Sequence, residues 1–131
     1  MPTRRTSGAA TIRNVPDLYS QILQQADSLL ISREQVELLQ QARAAYRVRL
    51  DSVWTGLAIY LADLPDRYDA AVAYKRAEEA TDGAWELTRL DLRRALPGIL
   101  STVQLQLLPS LVRTVYLAKE PLHIRVFIAG G

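Results

Sequence analysis

The chain has 131 residues, sixteen Lys+Arg against fourteen Asp+Glu, one histidine and no cysteine. That length suits one domain, which at this size buries roughly two thirds of its unfolded surface. The lack of thiols excludes disulfides and thiolate metal sites, the single His123 leaves little for a histidine-based metal cluster, and a formal charge of +2, from arginines scattered among acids, argues against a nucleic-acid face.

Residues 1–13 are small, polar and basic and read as a disordered lead-in. Arginines near Met1 resemble the start of a signal peptide, but no apolar segment follows, so any export signal of a parent protein is expected outside this chain. Asn14 is placed to cap a first helix, with Pro16 in its first turn and Asp17 near the positive end of the helix dipole. Leu18, Ile22, Leu23, Ala26 and Leu29 or Leu30 then recur at helical spacing.

Ser32 opens a second helix reaching about Leu64, with apolar residues at Val36, Leu39, Tyr46, Leu50, Val53, Leu57, Tyr60 and Leu64. The steps are threes, fours and one seven, interrupted at Arg43, and they predict a long helix with coiled-coil-like packing. Leu64-Pro65-Asp66 ends it, because the residue before proline is pushed out of the helical region. The longest uncharged apolar stretch, around Val53 to Ala62, is far shorter than the roughly 20 residues of a bilayer span.

A third helix starts between Asp66 and Asp69 and runs to about Leu96, carrying a row of small residues at Ala70, Ala73, Ala77, Ala80 and Ala84 that continues to Leu87. Alanines let another helix approach closely, and the bulky row of the second helix is the natural filler. Asp82-Gly83 is a weak point in a helix expected to stay continuous. Pro97-Gly98 ends it, and Ser101 opens a fourth helix that Pro109 kinks or divides at Leu108. The tail from Leu122 to Ile128 reads as a strand and wants a partner strand, either in Ala10 to Val15 or on another molecule.

The expected fold is all-α over residues 14–121: a long antiparallel helical hairpin, two flanking helices, and a strand-like C-terminal tail over 122–131.

Two short strings repeat: Ile31-Ser32-Arg33-Glu34-Gln35 and Leu100-Ser101-Thr102-Val103-Gln104. Each has an aliphatic residue, a serine and, three positions on, a glutamine, which is the layout of a capping box. The serine hydroxyl accepts from an otherwise orphaned helix amide, and the glutamine side chain reaches back to the serine amide. Ser32, Gln35, Ser101 and Gln104 are therefore the expected helix-capping residues, and their duplication favours a structural repeat.

The boxes resemble the Leu-Thr-x-x-Gln signature that occurs twice in the Spy and CpxP periplasmic proteins, small all-helical chaperones and stress regulators; here serine replaces threonine in both copies and Ile31 replaces the first leucine. A longer resemblance runs over residues 14–117 through Leu50-Asp51-Ser52-Val53-Trp54, Tyr60-Leu61-Ala62, Leu64-Pro65-Asp66-Arg67-Tyr68-Asp69 and Leu108-Pro109. These strings resemble the helical C-terminal segment of bacterial outer-membrane proteins of the TonB-dependent-receptor or carboxypeptidase-regulatory-like type. The resemblance implies a periplasmic or outer-membrane-associated location and a protein partner or parent outer-membrane protein. It implies no catalysis and no cofactor.

Trp54, Trp85 and Tyr68, with Ile124, Val126 and Phe127 of the tail, are the candidate protein-binding residues; Trp54 and Trp85 lie slightly off the inferred seams and are expected to be exposed. Asp63, Asp66 and Asp69 read as caps and dipole partners, since the glycine and closing glutamate of a calcium loop are missing. Arg89, Arg93, Arg94, Lys75 and Arg76 interleave with Glu78, Glu79, Glu86 and Asp91 as an ion-paired face. No metal, catalytic or cofactor residues are expected; a catalytic serine would need His123 folded over it, and no nucleophile elbow is present. The expected function is a non-enzymatic protein-binding module of the cell envelope, chaperone-like or docking, with a structural subunit joined through the C-terminal strand, or a homo-oligomer, as the alternative.

Overall fold

The computed structural model describes residues 15–119. Among them the chain forms six α-helices and no strand: α1 (Leu18–Gln24), α2 (Ala26–Leu29), α3 (Arg33–Ala62), α4 (Ala70–Ala95), α5 (Thr102–Gln106) and α6 (Ser110–Leu117), with a 3-10 turn at Leu96–Gly98. The all-α class and the long helical hairpin, α3 against α4, agree with the periodicity. The expected strand-like tail, with Ile124, Val126 and Phe127, lies outside the described residues.

Most helix ends follow from local chemistry. Asp17, rather than Asn14, caps α1: its Oδ1 accepts from the Ser20 amide at 3.1 Å. The expected single first helix is broken at Gln25, and α2 closes on Leu30 in the left-handed region, φ 56° and ψ 44°. There the Ile31 amide donates back to the Ala26 carbonyl and the Leu30 amide to the Asp27 carbonyl, a Schellman stop in which leucine stands where glycine is usual. Helix α3 ends at Ala62, two residues ahead of the Leu64-Pro65 pair. Asp69 starts α4 by accepting from the Ala71 and Val72 amides. Helix α4 runs unbroken across Asp82-Gly83, and Pro109 divides the fourth predicted helix into α5 and α6.

A main core gathers Leu18, Tyr19, Ile22 and Leu29 with Leu39 and Tyr46 of α3, Trp85 and Leu92 of α4, and Val112 and Val115 of α6. Beyond it the hairpin continues as a two-helix arm held by a smaller cluster of Trp54, Leu57, Ala77 and Ala84. The bulky-into-alanine packing of the two long helices is therefore real, with Ala73, Ala77 and Ala84 buried. Trp54 and Trp85, expected at the surface, are instead buried, 8% and 4% exposed. Trp54 lies over the alanine row, and Trp85 faces the main core. One hydrophobic seam per helix is too few for α4, which packs on α3 with one side and on α6 with another.

Candidate functional site

Both capping boxes form completely. The Ser32 Oγ accepts from the Gln35 amide at 3.1 Å and the Ser32 amide donates to Gln35 Oε1 at 2.9 Å; the Ser101–Gln104 box repeats this at 3.2 and 2.9 Å. The fold then brings the boxes together. Gln35 Nε2 donates to Gln104 Oε1 at 2.8 Å and to the Ile99 carbonyl at 2.9 Å, while Gln104 Nε2 donates to Gln35 Oε1 at 3.1 Å and to the Leu30 carbonyl at 3.2 Å. Ile99 and Leu30 each stand two residues before their box's serine, so the arrangement has approximate two-fold symmetry. A further bond from Gln104 Nε2 reaches the Leu29 carbonyl. This clasp ties the start of α3 to the start of α5 and leaves both amide groups fully engaged.

A second polar centre sits between α1, α3 and α4. The buried Asp91 carboxylate accepts from Tyr19 Oη at 2.5 Å and from the guanidinium groups of Arg49 and Arg94, each at 2.6 Å. Beside it Tyr46 and Thr88 share a hydrogen bond of 2.7 Å, and the Tyr19 and Tyr46 rings lie 5.5 Å apart. Burial, then the bond to Asp91, raises the Tyr19 phenol above its ordinary range. Tyr46 is pushed up to about 12, chiefly by burial. Glu86, bonded by Arg89, is held below the usual carboxylate range, and the Arg89 guanidinium is raised in turn. Arg89 and Arg93 both donate to the Ala118 carbonyl, fixing the end of α6 on α4. The interleaved charges, expected as a solvated ion-paired face, divide: Arg89 pairs with Glu86 and Arg94 with Asp91, but Arg89 and Asp91 are buried, Arg93 serves the Ala118 carbonyl and Arg76 lies over the Tyr60 ring.

Two shallow grooves flank the hairpin. One, of about 360 Å³, is lined by Asp17, Arg43, Tyr46, Arg47, Leu50 and Trp54, and its Arg43 and Asp17 are paired at 2.5 Å. The other, of about 210 Å³, lies on the opposite side of the hairpin and is lined by Arg49, Leu87, Leu90, Asp91 and Arg94. Among the described residues no group of three or more His, Cys, Asp or Glu stands ready to hold a metal ion, and no helix is long and apolar enough to cross a membrane.

Of the candidate binding residues, Tyr68 is exposed at the α3–α4 turn, Trp54 and Trp85 are inside, and Ile124, Val126 and Phe127 lie outside the described residues. Tyr74 is exposed towards the same end of the arm, as are three large apolar side chains that the sequence pattern does not mark as binding residues: Ile59, Leu61 and Val72. Ile59 had a readable signal, since it falls off the α3 seam. For Asp91 only the local pairing with Arg94 is readable, because its other two partners are 42 and 72 positions away.

The helices and their clasp define an all-α domain built on a helical hairpin. The chain matches no protein-family model, no curated protein and no solved structure.

Proposed function

We propose that this chain is a non-enzymatic protein-binding module of the bacterial cell envelope, acting as a chaperone-like cradle or as the docking domain of an outer-membrane protein. The observation that carries the reading is the arm. Two helices project past the main core, and their end displays Ile59, Leu61, Tyr68, Val72 and Tyr74, with Ile59 and Tyr74 each about three fifths exposed. Ile59 and Leu61, like Val72 and Tyr74, are two positions apart and point to different sides of their helices, so the arm end offers exposed apolar side chains to a partner on more than one side. The resemblance of the twin boxes and of the Leu50–Trp54 and Leu64–Asp69 strings to envelope proteins supports the location. The paired polar groups at Asp91 and Asp17 act as structural ties in this reading.

The test is light scattering of an unfolded client protein that aggregates, with the full chain added in equimolar amount. Suppression by the wild type, reduced severalfold in the double variant Ile59→Asp with Tyr74→Asp, is the expected result. An arm variant that keeps its helical circular dichroism and suppresses as well as wild type overturns the arm's role. Absence of both suppression and client binding overturns the reading as a whole. The envelope location is tested by coding context: a barrel sequence upstream in the same reading frame is expected.

A further inference from the structure

We infer that residues 122–128 run as a strand antiparallel to residues 10–15 of the same molecule, on the side of the hairpin that α1 and α6 occupy and beyond their open ends. The partner that this apolar tail needs is then its own chain and not a neighbouring copy.

The helices set where the two segments enter and leave. Helix α1 starts with Asp17 on Arg43 of α3 and, with α2, runs to the clasp, where the Leu29 and Leu30 carbonyls receive Gln104 Nε2. Helix α6 runs the opposite way, from beside α5 at the clasp to Ala118, whose carbonyl accepts from Arg89 and Arg93 of α4. The Tyr46–Thr88 hydrogen bond, three residues from Arg43 and one from Arg89, puts these two anchor points at one height of the hairpin. Since α1 and α6 also pack on each other, the start of one and the end of the other lie side by side. The chain therefore arrives and departs there in opposite directions, which is the geometry of an antiparallel pair.

The lengths agree. Val15, ahead of α1, is half-buried with Leu50 and Trp54, which are seven and eleven residues past Arg43, or about 10 and 16 Å farther along α3. Leu122 comes four residues after Ala118, about 13 Å of extended chain held on the heading of α6. Leu122 and Val15 thus reach one height.

The tail has the composition for this place. Leu122, Ile124, Val126 and Ile128 alternate with His123, Arg125 and Phe127, so one face of the strand is aliphatic and the other carries its basic groups. Among the described residues there is no strand whose edge the tail could extend. Residues 10–15 supply main-chain donors and acceptors at the matching height, and pairing with them gives the tail an edge without a second molecule.

The experiment exploits the absence of cysteine. In the full chain Asn14→Cys is combined in turn with His123→Cys, Arg125→Cys and Ile128→Cys, and disulfide closure is timed at micromolar protein. An unpaired tail would separate these rates only about two- to threefold, because loop closure depends weakly on length. The ordered pair is expected to close with His123→Cys or Arg125→Cys at least tenfold faster than with Ile128→Cys; a smaller ratio overturns the proposal. So do disulfide-linked dimers that form faster than the intramolecular bond, which would make a neighbouring copy the partner. Should the cysteine variants lose helical circular dichroism, amide hydrogen exchange of the unaltered chain decides. Amides of residues 122–128 are expected to exchange at least tenfold more slowly than in an unstructured peptide, and Ile12→Pro, which removes a donor from the opposite segment, should abolish that protection while the helices keep theirs. Unprotected tail amides, or protection that survives Ile12→Pro, overturn the pairing.

Discussion

Gln35 and Gln104, 69 positions apart, bond to each other through both their side-chain amides, at 2.8 and 3.1 Å, while each closes its own capping box. A capping box by itself accepts glutamate as readily as glutamine. The clasp does not, because each Nε2 must also donate to a main-chain carbonyl.

Gln104→Glu therefore keeps the acceptor for the Ser101 amide but turns an oxygen toward the Leu29 and Leu30 carbonyls and toward Gln35 Oε1. With Gln104 buried, the loss is expected to be about 3 kcal/mol, from missing bonds and a desolvated charge. Urea denaturation measures it. Solvent-facing Glu34→Gln, one position before Gln35, should change stability by less than about 0.5 kcal/mol.

Leu30 sits at φ 56° with its side chain 84% exposed, so the left-handed backbone is strained without a compensating burial of leucine. Leu30→Gly should stabilise the chain by roughly 0.5–1 kcal/mol, and the melting temperature should rise. A fall would show that leucine's side chain matters where it stands.

Asp91→Ala leaves the buried Tyr19 hydroxyl and two guanidinium groups without their shared acceptor, and should cost about 3 kcal/mol. In a Tyr19→Phe background the cost should be at least about 1 kcal/mol smaller, because the two changes remove one interaction. Strict additivity in that double-mutant cycle would contradict the shared bond.

Tyr46 provides a pH test. Its folded phenol is pushed up to about 12 from 10.0, so the folded state holds a proton that the unfolded state releases first. Stability from this group is fully present below about pH 10 and is lost as pH rises toward 12, on the order of 2 kcal/mol in all. Tyr19, raised further by burial and by Asp91, steepens the same decline. Denaturant midpoints between pH 8 and 11 should stay flat and then drop, less so in Tyr46→Phe. At the acid end Glu86, held below 4.5 by Arg89, contributes stability that disappears as pH falls beneath that value.

Both tryptophans should emit as buried indoles and resist quenching by iodide, in keeping with 8% and 4% exposure. Trp85→Ala should cost about 3–5 kcal/mol as a large-to-small change in the core. An emission maximum typical of water would contradict the placement of either ring.

What could be read from the sequence was whatever depends on neighbours a few positions apart. Ser32 and Ser101 cap their helices because a hydroxyl three residues from an amide can reach it in any surroundings. Pro109 divides a helix because its ring and missing N–H act on the preceding turn. The heptad-like row on α3 and the alanines of α4 announced a hairpin, since each row records one partner's shape. Asn14 and Asp17, three positions apart, are both good capping residues, and local sequence does not choose between them; Asp17 takes the place.

The tertiary structure decided the rest. Trp85 is buried because α6, pinned by Arg89 and Arg93 at Ala118, covers a second side of α4 that no periodicity in α4 reveals. Asp91 collects Tyr19 and Arg49 beside its neighbour Arg94, and Gln35 finds Gln104, through contacts between segments far apart in the chain. Local sequence therefore determined where helices begin and end, because caps and breakers act within a turn. Which faces were covered and which polar groups met were set by how the helices packed, since burial belongs to the assembled surface and not to any one segment.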